Sequence, residues 1–331
     1  MKKIFIDGSA GTTGLRIRER LAERDDLEVV VLPDEVRKDV KARQDALNAC
    51  DVAFLCLPDA AAVEAVSLVE NPDVVVIDTS TAHRTAEGWE YGFPELEGRR
   101  ERIAAAKRIA NPGCHASGFV SLVEPLVRRG ILKASAELTA TSLTGYSGGG
   151  KKMIADYDEQ VKVKGEGEQR TDRSSFFAFT SDLHLHAGGR QYALGQTHKH
   201  LPEMAKVCGL KSAPAFLPIV VPHYSGMEVT VPLFRSALAD PAATLDDIRR
   251  LYADYYAGNG LVRFAEDPSE GGFLSSAALS GRDSLEVSVY GNEDRILLVS
   301  RFDNLGKGAS GAAIQNMNLV LGADEAKGLV R

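Results

Sequence analysis

The fold of the chain's first half is decided by the stretch KKIFIDGSAGTTGLRIRERL, which occupies residues 2–21. It begins with a short apolar run, Lys2 to Asp7, which predicts a buried strand. A glycine-containing turn follows, and the charged segment Thr12 to Arg24 then has the pattern of a helix. Leu27 to Leu32 is apolar again. Together these segments predict a β-α-β unit.

The same alternation recurs further along the chain. Asp51 to Leu57 (DVAFLCL) and Val74 to Thr79 (VVVIDT) are short apolar runs on either side of a helical segment, Asp59 to Glu70. Such β-branched runs are typical of strands that a parallel sheet buries on both faces. The first part of the chain is therefore predicted to be a doubly wound α/β domain.

From about residue 130 the pattern changes to strands with little helix between them. Leu138 to Leu143 and Met227 to Phe234 are predicted strands. Leu285 to Tyr290 and Ile296 to Phe302 flank the turn-prone sequence GNED, so we expect a hairpin. These strands predict an α+β domain with a mixed, largely antiparallel sheet. The tail from Gly308 to Leu321 is predicted to be a helix that packs back on the first domain.

Composition excludes several classes of protein. The 331 residues exceed one typical domain, and 44% hydrophobic with 26% charged residues is usual for a globular protein. The net charge of −7 disfavours nucleic acid as a partner. Four scattered cysteines predict a reducing compartment, and no apolar run approaches the length of a membrane span. We expect a soluble, cytoplasmic protein with no membrane partner.

The loop after the first strand is a candidate dinucleotide site. Its glycines are spaced three apart, which departs from GxGxxG, but they lie where a strand turns into a helix. Unpaired N–H groups at that helix start could bind a pyrophosphate, which makes the domain Rossmann-type; the alternative is a turn that binds nothing. Asp34 permits NAD, whereas Arg37 and Lys38 permit a 2′-phosphate, so the residues leave this choice open. The predicted cofactor-binding residues of the loop are Gly8, Ser9, Ala10, Gly11, Thr12, Thr13 and Gly14.

Cys114 is the candidate nucleophile. It lies in the segment RIANPGCHASGF (residues 108–119), where Pro112 and Gly113 predict a turn immediately before a helix. A helix dipole and a neighbouring imidazolium would lower the pKa of a thiol in this position. The alternative, a small buried apolar residue, is preferred for the other three cysteines. Pro125 predicts a kink or an early break in the helix.

Two histidines, His198 and His200, are the candidate acid/base groups. They would share a face if they lie on a strand, and Glu203 could orient His200 if a helix begins at Pro202. A polar surface loop or a metal site is the alternative, and a metal is disfavoured because Lys199 adds charge. His223 is the second candidate for the base. His115 should point away from Cys114, and His184 and His186 are taken as exposed strand residues.

Two cations are candidate anchors for an anionic substrate. Arg84 follows a strand end, where open α/β sheets bind ligands, and Lys151 follows a run of glycines. Either could instead be an ordinary surface charge. Pro58 and Ser80, also at strand ends, are predicted to line the cofactor.

The motifs together resemble N-acetyl-gamma-glutamyl-phosphate reductase in its shorter form, over the whole length of the chain. The resemblance is carried by GSAGTTG (residues 8–14), NPGCHASG (111–118), SGGGK (147–151), HKHLPE (198–203) and NLGKGASG (304–311). It implies NADPH-dependent reduction of N-acetyl-L-glutamyl 5-phosphate to the 5-semialdehyde with release of phosphate, a step of arginine biosynthesis. The residue after the cysteine, often aromatic in this family, is His115 here.

The resemblance also implies residue roles and an organisation. Cys114 matches the nucleophile that forms a thioester, His200 matches the acid/base, and Asn316 would reach the nicotinamide amide. The NADP-binding domain would comprise residues 1–113 and 303–331. Residues 114–302 would form the catalytic domain, through which the family makes homodimers or homotetramers. Alternatives are a related reductase of aspartyl phosphate or of carrier-linked aminoadipyl phosphate, and a non-catalytic NADP-sensing regulator.

Overall fold

A computed structural model describes residues 1–165, 186–258 and 260–331. Its first sheet is wholly parallel, with strand order β2-β1-β3-β4-β6-β5. The strands are β1 (Lys2–Asp7), β2 (Leu27–Val30), β3 (Val52–Leu55), β4 (Val75–Asp78), β5 (Glu90–Tyr91) and β6 (Arg108–Ala110). The helices that accompany them are α1 (Thr12–Leu21), α2 (Val40–Asn48), α3 (Asp59–Ser67) and α4 (Arg99–Ala105). The predicted doubly wound domain is confirmed.

Alternating side chains of β1 show why helices cover both faces of this sheet. Ile4 and Ile6 pack with α1 and α4 on one face. Phe5 points to the other face, where it packs with α2 and α3. Because both sets of side chains are buried, the middle of the strand, residues 4–6, is a continuous apolar run, as the sequence pattern indicated.

The second sheet is mixed, with strand order β11-β12-β13-β10-β7-β9-β8. Its strands are β7 (Thr139–Gly145), β8 (Arg190–Gln191), β9 (Ala215–Val221), β10 (Met227–Phe234), β11 (Val262–Phe264), β12 (Leu285–Gly291) and β13 (Arg295–Phe302). The pairs β7/β9 and β11/β12 are parallel, and the other neighbours are antiparallel. β12 and β13 form the predicted hairpin, so the predicted fold class is confirmed.

Helices are more extensive in the second half than predicted. They are α5 (Cys114–Arg128), α6 (Gly150–Gly165), α7 (Leu201–Cys208) and α8 (Leu245–Tyr255). The helix after Cys114 was predicted, but the expectation of little helix beyond residue 130 was wrong: α8, for example, has Leu245, Ile248 and Tyr252 at turn spacing, all buried. α8 also has a local signal: Thr244 and Asp247 form a reciprocal capping box at its start.

α5 does not break at Pro125. The early break, one of the two predicted outcomes, therefore does not occur. The helix continues to Arg128 and packs between α7 and the second sheet. Proline lacks the N–H that would bond to the carbonyl of Ser121 four residues earlier. The hydroxyl of Tyr256 donates to that carbonyl instead, at 2.7 Å. A side chain from outside the helix therefore replaces the missing hydrogen bond.

The chain returns to the first domain at its C-terminal end, as predicted. A π-helical turn, Gly306–Ser310, leads into α9 (Gly311–Val320). Ala313, Ile314 and Met317 are fully buried in the same cluster as Ile4 and Ile6 of β1. None of the described helices is long and apolar enough to cross a membrane.

Candidate active site

A cavity of about 620 Å³ lies between the carboxyl ends of the first sheet's strands, the start of α5 and the turn before α7. Open α/β sheets bind ligands at this end. Among the residues that line it are Gly11, Thr12, Thr13, Gly14, Pro58, Ser80, Arg84, Cys114, His115, Gly148, Gly149, Arg190, Tyr192, His198, Lys199, His200, Asn304 and Gly308. Most of the predicted site residues therefore share one cavity.

The glycine loop divides into a structural part and a part that faces the cavity. Gly8 has φ of +87°, and a Cβ there would lie 2.3 Å from the carbonyl oxygen of Cys56. A Cβ at Gly14 would lie 2.6 Å from the carbonyl oxygen of Gly8, so helix and strand touch at this point. Gly8, Ser9 and Ala10 do not line the cavity, whereas residues 11–14 do.

The start of α1 suits an anion. Gly11 caps the helix without a side-chain hydrogen bond, so the first N–H groups of α1 have no side-chain acceptor there. These groups carry the positive end of the helix dipole at the cavity wall. Pro58 and Ser80 line the same cavity, and their contact with a cofactor stays a prediction. The backbone therefore fits a dinucleotide pyrophosphate.

Cys114 is the first residue of α5 and is half-buried at the cavity. Burial raises the pKa of its thiol above the ordinary value, and the positive charge of Arg84 opposes this effect. The predicted lowering of the thiol pKa is therefore wrong for the ligand-free protein. Burial shields the thiol from water. The neighbouring histidines supply no positive charge, because burial lowers their pKa values and keeps them neutral.

His200 is buried beside the start of α5, immediately before α7. A Cβ at Gly113 would lie 2.5 Å from its Nε2, which places this nitrogen next to the residue preceding Cys114. Burial, followed by the charge of Arg84, lowers the pKa of His200 well below its ordinary value. The imidazole is therefore neutral near pH 7.

His198 lies against His200, although the two residues are in a turn rather than on a strand. Their ring centroids are 4.7 Å apart, and Nδ1 of His198 accepts the backbone N–H of His200 at 3.2 Å. Burial lowers the pKa of His198 to about 4. Both histidines line the cavity, but His200 is the more deeply buried of the two.

Glu203 does not orient His200, contrary to the prediction. Its Oε1 accepts the hydroxyl of Tyr91 at 2.7 Å and the backbone N–H of Gly113 at 2.8 Å. Its Oε2 accepts from Arg84 at 3.1 Å. α7 begins at Leu201, so the carboxylate points across the chain to α5. Glu203 instead holds the residue that caps the Cys114 helix.

Arg84 is held at the cavity by three protein acceptors. Its Nε donates to the carbonyl of Asn111 at 2.9 Å, and Nη2 donates to that of Thr79 at 3.1 Å. The third acceptor is Glu203, and the Arg84 side chain is only 8% exposed. A guanidinium has five N–H groups, so two remain for a ligand.

His115 points away from Cys114, as the helix geometry predicted. Its Nδ1 lies 2.7 Å from Ser142 Oγ, and its Nε2 lies 2.6 Å from the Tyr192 hydroxyl. Burial lowers its pKa to about 3, so this imidazole is neutral. His115 therefore supports Tyr192, a cavity residue that the sequence analysis did not single out.

Several predicted residues lie elsewhere. Asn316 is fully buried, where its Nδ2 donates to the carbonyl of Gly92 at 2.9 Å, and it is not among the residues that line the cavity; its contact with a nicotinamide stays a prediction. Lys151 is exposed on α6 and is not a lining residue. His223 bonds Ser276 at 3.0 Å outside the cavity.

Other residues fall outside the expectations or outside the described part of the chain. His186 is in a helical turn and packs edge-on against Tyr157, so it is not a strand residue. His184 lies outside the described residues. Lys199 and Arg190 line the cavity, although neither was predicted to bind a ligand. Their only sequence signal was a positive charge close to the histidine pair. Within the described ranges, no group of three or more His, Cys, Asp or Glu residues could hold a metal ion.

Comparisons with known proteins agree with this arrangement. The semialdehyde dehydrogenase NAD-binding domain matches residues 34–106, and the semialdehyde dehydrogenase dimerisation domain matches residues 158–304. The aspartate semialdehyde dehydrogenases of Francisella tularensis and Vibrio cholerae (type II) share the fold, with TM-scores of 0.74 and 0.71 at 16% and 18% identity. Each alignment covers 97% of this chain, and 100% and 98% of the respective dehydrogenase.

Two curated relatives are much more similar in sequence. N-acetyl-gamma-glutamyl-phosphate reductase 2 of Nostoc sp. is 46% identical over 99% of both chains. N-acetyl-gamma-glutamyl-phosphate reductase of Brucella anthropi is 45% identical over 97% of this chain and 98% of its own. With this degree of identity over the full length, the chain belongs to the N-acetyl-gamma-glutamyl-phosphate reductase family of oxidoreductases.

Proposed function

We propose that this protein reduces N-acetyl-L-glutamyl 5-phosphate to N-acetyl-L-glutamate 5-semialdehyde with NADPH, releasing phosphate through a thioester on Cys114. One observation carries the proposal. Cys114 begins α5 in the cavity that also contains a neutral, buried His200 and the exposed start of α1. A thiol, a base and an anion-binding helix start are the groups that this reaction requires.

The residues of the first domain fit a nicotinamide dinucleotide. The N–H groups of residues 11–14 would hold the pyrophosphate, and Pro58 and Ser80 would line the site. Beyond β2, Asp34 is paired with Arg37 at 3.0 Å, and Lys38 is exposed nearby. These two cations favour the 2′-phosphate of NADPH over the free hydroxyl of NADH. When bound, NADPH supplies the hydride that reduces the thioester carbonyl.

The protein's own groups account for the covalent steps. His200 takes the proton of the Cys114 thiol, and the sulfur attacks the acyl carbon of the substrate. The C–O bond to phosphate then breaks, phosphate leaves, and a thioester remains. After reduction, the tetrahedral adduct expels the Cys114 thiolate and releases the aldehyde. The N–H groups at the start of α5 would stabilise the negative charge on the carbonyl oxygen.

Two cations would bind the anionic groups of the substrate. Arg84 has two N–H groups available beside Cys114, and Lys199 is exposed in the cavity next to the histidine pair. Arginine binds phosphate in a two-pronged geometry, whereas lysine acts as a point charge. We assign the phosphate to Arg84, which leaves Lys199 for the substrate carboxylate.

The cellular setting follows from the proposed reaction. An acyl phosphate of N-acetylglutamate is an intermediate in arginine biosynthesis, so we place the enzyme in that pathway and in the cytoplasm. The matched dimerisation domain supports an oligomer, which we propose to be a homodimer or homotetramer.

Substrate identity is tested with a panel of semialdehydes in the oxidative direction, with NADP and phosphate. We expect kcat/KM for N-acetyl-L-glutamate 5-semialdehyde to exceed that for aspartate semialdehyde by about a hundredfold or more, since unpaired polar groups in the site disfavour the wrong substrate. A preference for aspartate semialdehyde would overturn the substrate assignment.

The role of Cys114 is tested with Cys114→Ala. This variant should lose turnover by about a thousandfold or more while NADPH binding is retained. Cys50→Ala is the matched control, because that thiol is buried outside the cavity and bonds the carbonyl of Leu47. Normal turnover by Cys114→Ala would refute the thioester route.

A further inference from the structure

Lys307 is a fully buried cation that the proposed reaction does not use. Its Nζ lies 2.8 and 2.7 Å from the two carboxylate oxygens of Glu95 and 2.5 Å from Oε1 of Gln315. The ammonium also lies 4.7 Å from the ring centroid of Phe93. Burying a lysine and a glutamate is costly, and their attraction often only offsets that cost. A purely stabilising role is therefore a weak explanation for the pair.

The backbone that carries Lys307 touches the nucleophile. Lys307 lies in the π-helical turn Gly306–Ser310, and the next residue is Gly308. A Cβ at Gly308 would lie 2.9 Å from the Cβ of Cys114. The peptide backbone of the turn therefore packs directly against the Cys114 side chain and limits the positions that its sulfur can take. Irregular turns of this kind often mark functional sites.

The turn is tied to the segment before Cys114 on one side and to the first domain on the other. Nδ2 of Asn111 donates to the carbonyl of Ala309 at 3.0 Å. Lys307 reaches in another direction, to Glu95 in the loop between β5 and α4. Gln315 of α9 closes this cluster by donating to Glu95 at 2.8 Å. The ion pair thus joins the turn behind Cys114 to the first domain, where the cofactor is proposed to bind.

We propose that Lys307 is a positioning residue: its ion pair with Glu95 holds Gly308 against Cys114 and so aligns the sulfur with the substrate. The inference rests on the proposed role of Cys114 as nucleophile. It predicts that the pair affects the chemical step and thiol reactivity separately from its effect on stability. Replacing both members by neutral side chains removes the buried charges without leaving either one unpaired.

The test is the double variant Lys307→Met with Glu95→Gln. We expect an unfolding midpoint close to that of the unmodified enzyme, a kcat at least about tenfold lower, and a KM for NADPH that is nearly unchanged. The rate of Cys114 alkylation by iodoacetamide, followed by mass spectrometry of the Cys114 peptide, should also acquire a different pH profile. If the double variant has the kcat and the alkylation profile of the unmodified enzyme, the proposal is overturned.

A matched control and a milder variant keep the test decisive. Arg24 is a buried cation that pairs with Asp26 at 2.7 Å and bonds Asn318 of α9, but it does not line the cavity. Arg24→Met with Asp26→Asn should leave kcat and the alkylation profile unchanged. If the Lys307 double variant fails to fold, Gln315→Leu should give the same loss of kcat in smaller degree, and a normal kcat in that variant would contradict the proposal. If the proposed function is wrong, Cys114→Ala will retain turnover. That result is separate from those of the Lys307 variants.

Discussion

Burial affects the pKa of the Cys114 thiol more than the surrounding charges or its place at a helix start. A helix dipole stabilises a thiolate, yet burial has the larger effect here and raises the thiol pKa. Arg84 is the strongest of the nearby groups that oppose this rise. The free enzyme therefore holds a protonated thiol beside a neutral His200, and in the proposed reaction the thiolate forms when the proton moves to the imidazole.

Removing the charge of Arg84 should make Cys114 less reactive. In Arg84→Gln the thiol pKa rises further, so the pH midpoint of Cys114 alkylation moves upward and the rate at pH 8 falls several-fold. Lys199→Gln, which removes a charge with a smaller effect on the thiol, should move the midpoint in the same direction but less. The measurement is the alkylation rate as a function of pH. A midpoint that falls or stays constant in Arg84→Gln would contradict this account.

Local sequence identifies some of these residues and misses others for a physical reason. Cys114 could be found because its turn and helix are neighbours in the chain. Arg84, the partner of Glu203, could not be predicted, because it lies 119 residues away in sequence. The spacing along one helix predicted His200 as the partner of Glu203. Only the fold brings α7, at whose start Glu203 lies, against α5. The burial of Asn316 could not be predicted either, since an apolar helix pattern does not show which polar residue is buried inside.

At the scale of single elements, α5 shows how a proline is accommodated inside a helix. The carbonyl of Ser121 would lack a partner, and Tyr256 beyond the end of α8 supplies one. The helix can therefore remain regular from Cys114 to Arg128. The early break that the sequence predicted as one possibility does not occur, and the hydrogen bond that compensates for Pro125 could not be predicted because its donor lies 135 residues away.

Tyr256→Phe should destabilise the protein without a change in the site. The variant keeps the ring but leaves a buried carbonyl unpaired, which costs about 1–3 kcal/mol. Urea unfolding followed by circular dichroism measures the difference. Tyr290→Phe is the control, because that hydroxyl bonds Asp267 at the surface, at 3.2 Å, and satisfies no buried carbonyl of a helix. Equal free energies of unfolding for Tyr256→Phe and the unmodified protein would show that the hydroxyl does not replace the missing bond.

At the scale of the whole molecule, the second sheet has two different faces. Met227, Val229 and Val231 of β10 are buried on the face that packs against α5. Leu143 of β7 and Leu217 of β9 belong to the alternate positions of their strands and are only partly buried. A sheet face with half-exposed leucines suits contact with a second copy of the chain. The matched dimerisation domain includes Leu217.

A charge on this face should separate the subunits. We expect the unmodified protein to be a dimer or tetramer in light scattering coupled to size-exclusion chromatography, and Leu217→Arg to shift it toward monomer. Val63→Arg, which adds the same charge at an exposed position of α3, should leave the mass unchanged. A monomeric unmodified protein, or an oligomer that tolerates Leu217→Arg, would place the interface elsewhere.

The overall fold was largely predictable, because parallel strands buried on both faces leave a continuous apolar run such as residues 74–77. The hairpin of β12 and β13 was equally clear, since its turn residues separate two apolar strands. Order within the second sheet was not predictable: β10 pairs with both β13 and β7, which are far apart in the chain. The boundaries between the domains, at residues 113/114 and 302/303, stay a prediction.

The central claim is that the sulfur of Cys114 becomes covalently acylated during the reaction. It is tested most directly by incubating the enzyme with N-acetyl-L-glutamate 5-semialdehyde and NADP without phosphate, quenching in acid, and determining the mass of the Cys114 peptide. Because phosphate is the acyl acceptor in this direction, its omission should allow the thioester to accumulate. We expect an N-acetylglutamyl group on Cys114 that hydroxylamine removes. Formation of NADPH without any adduct at Cys114 would contradict it.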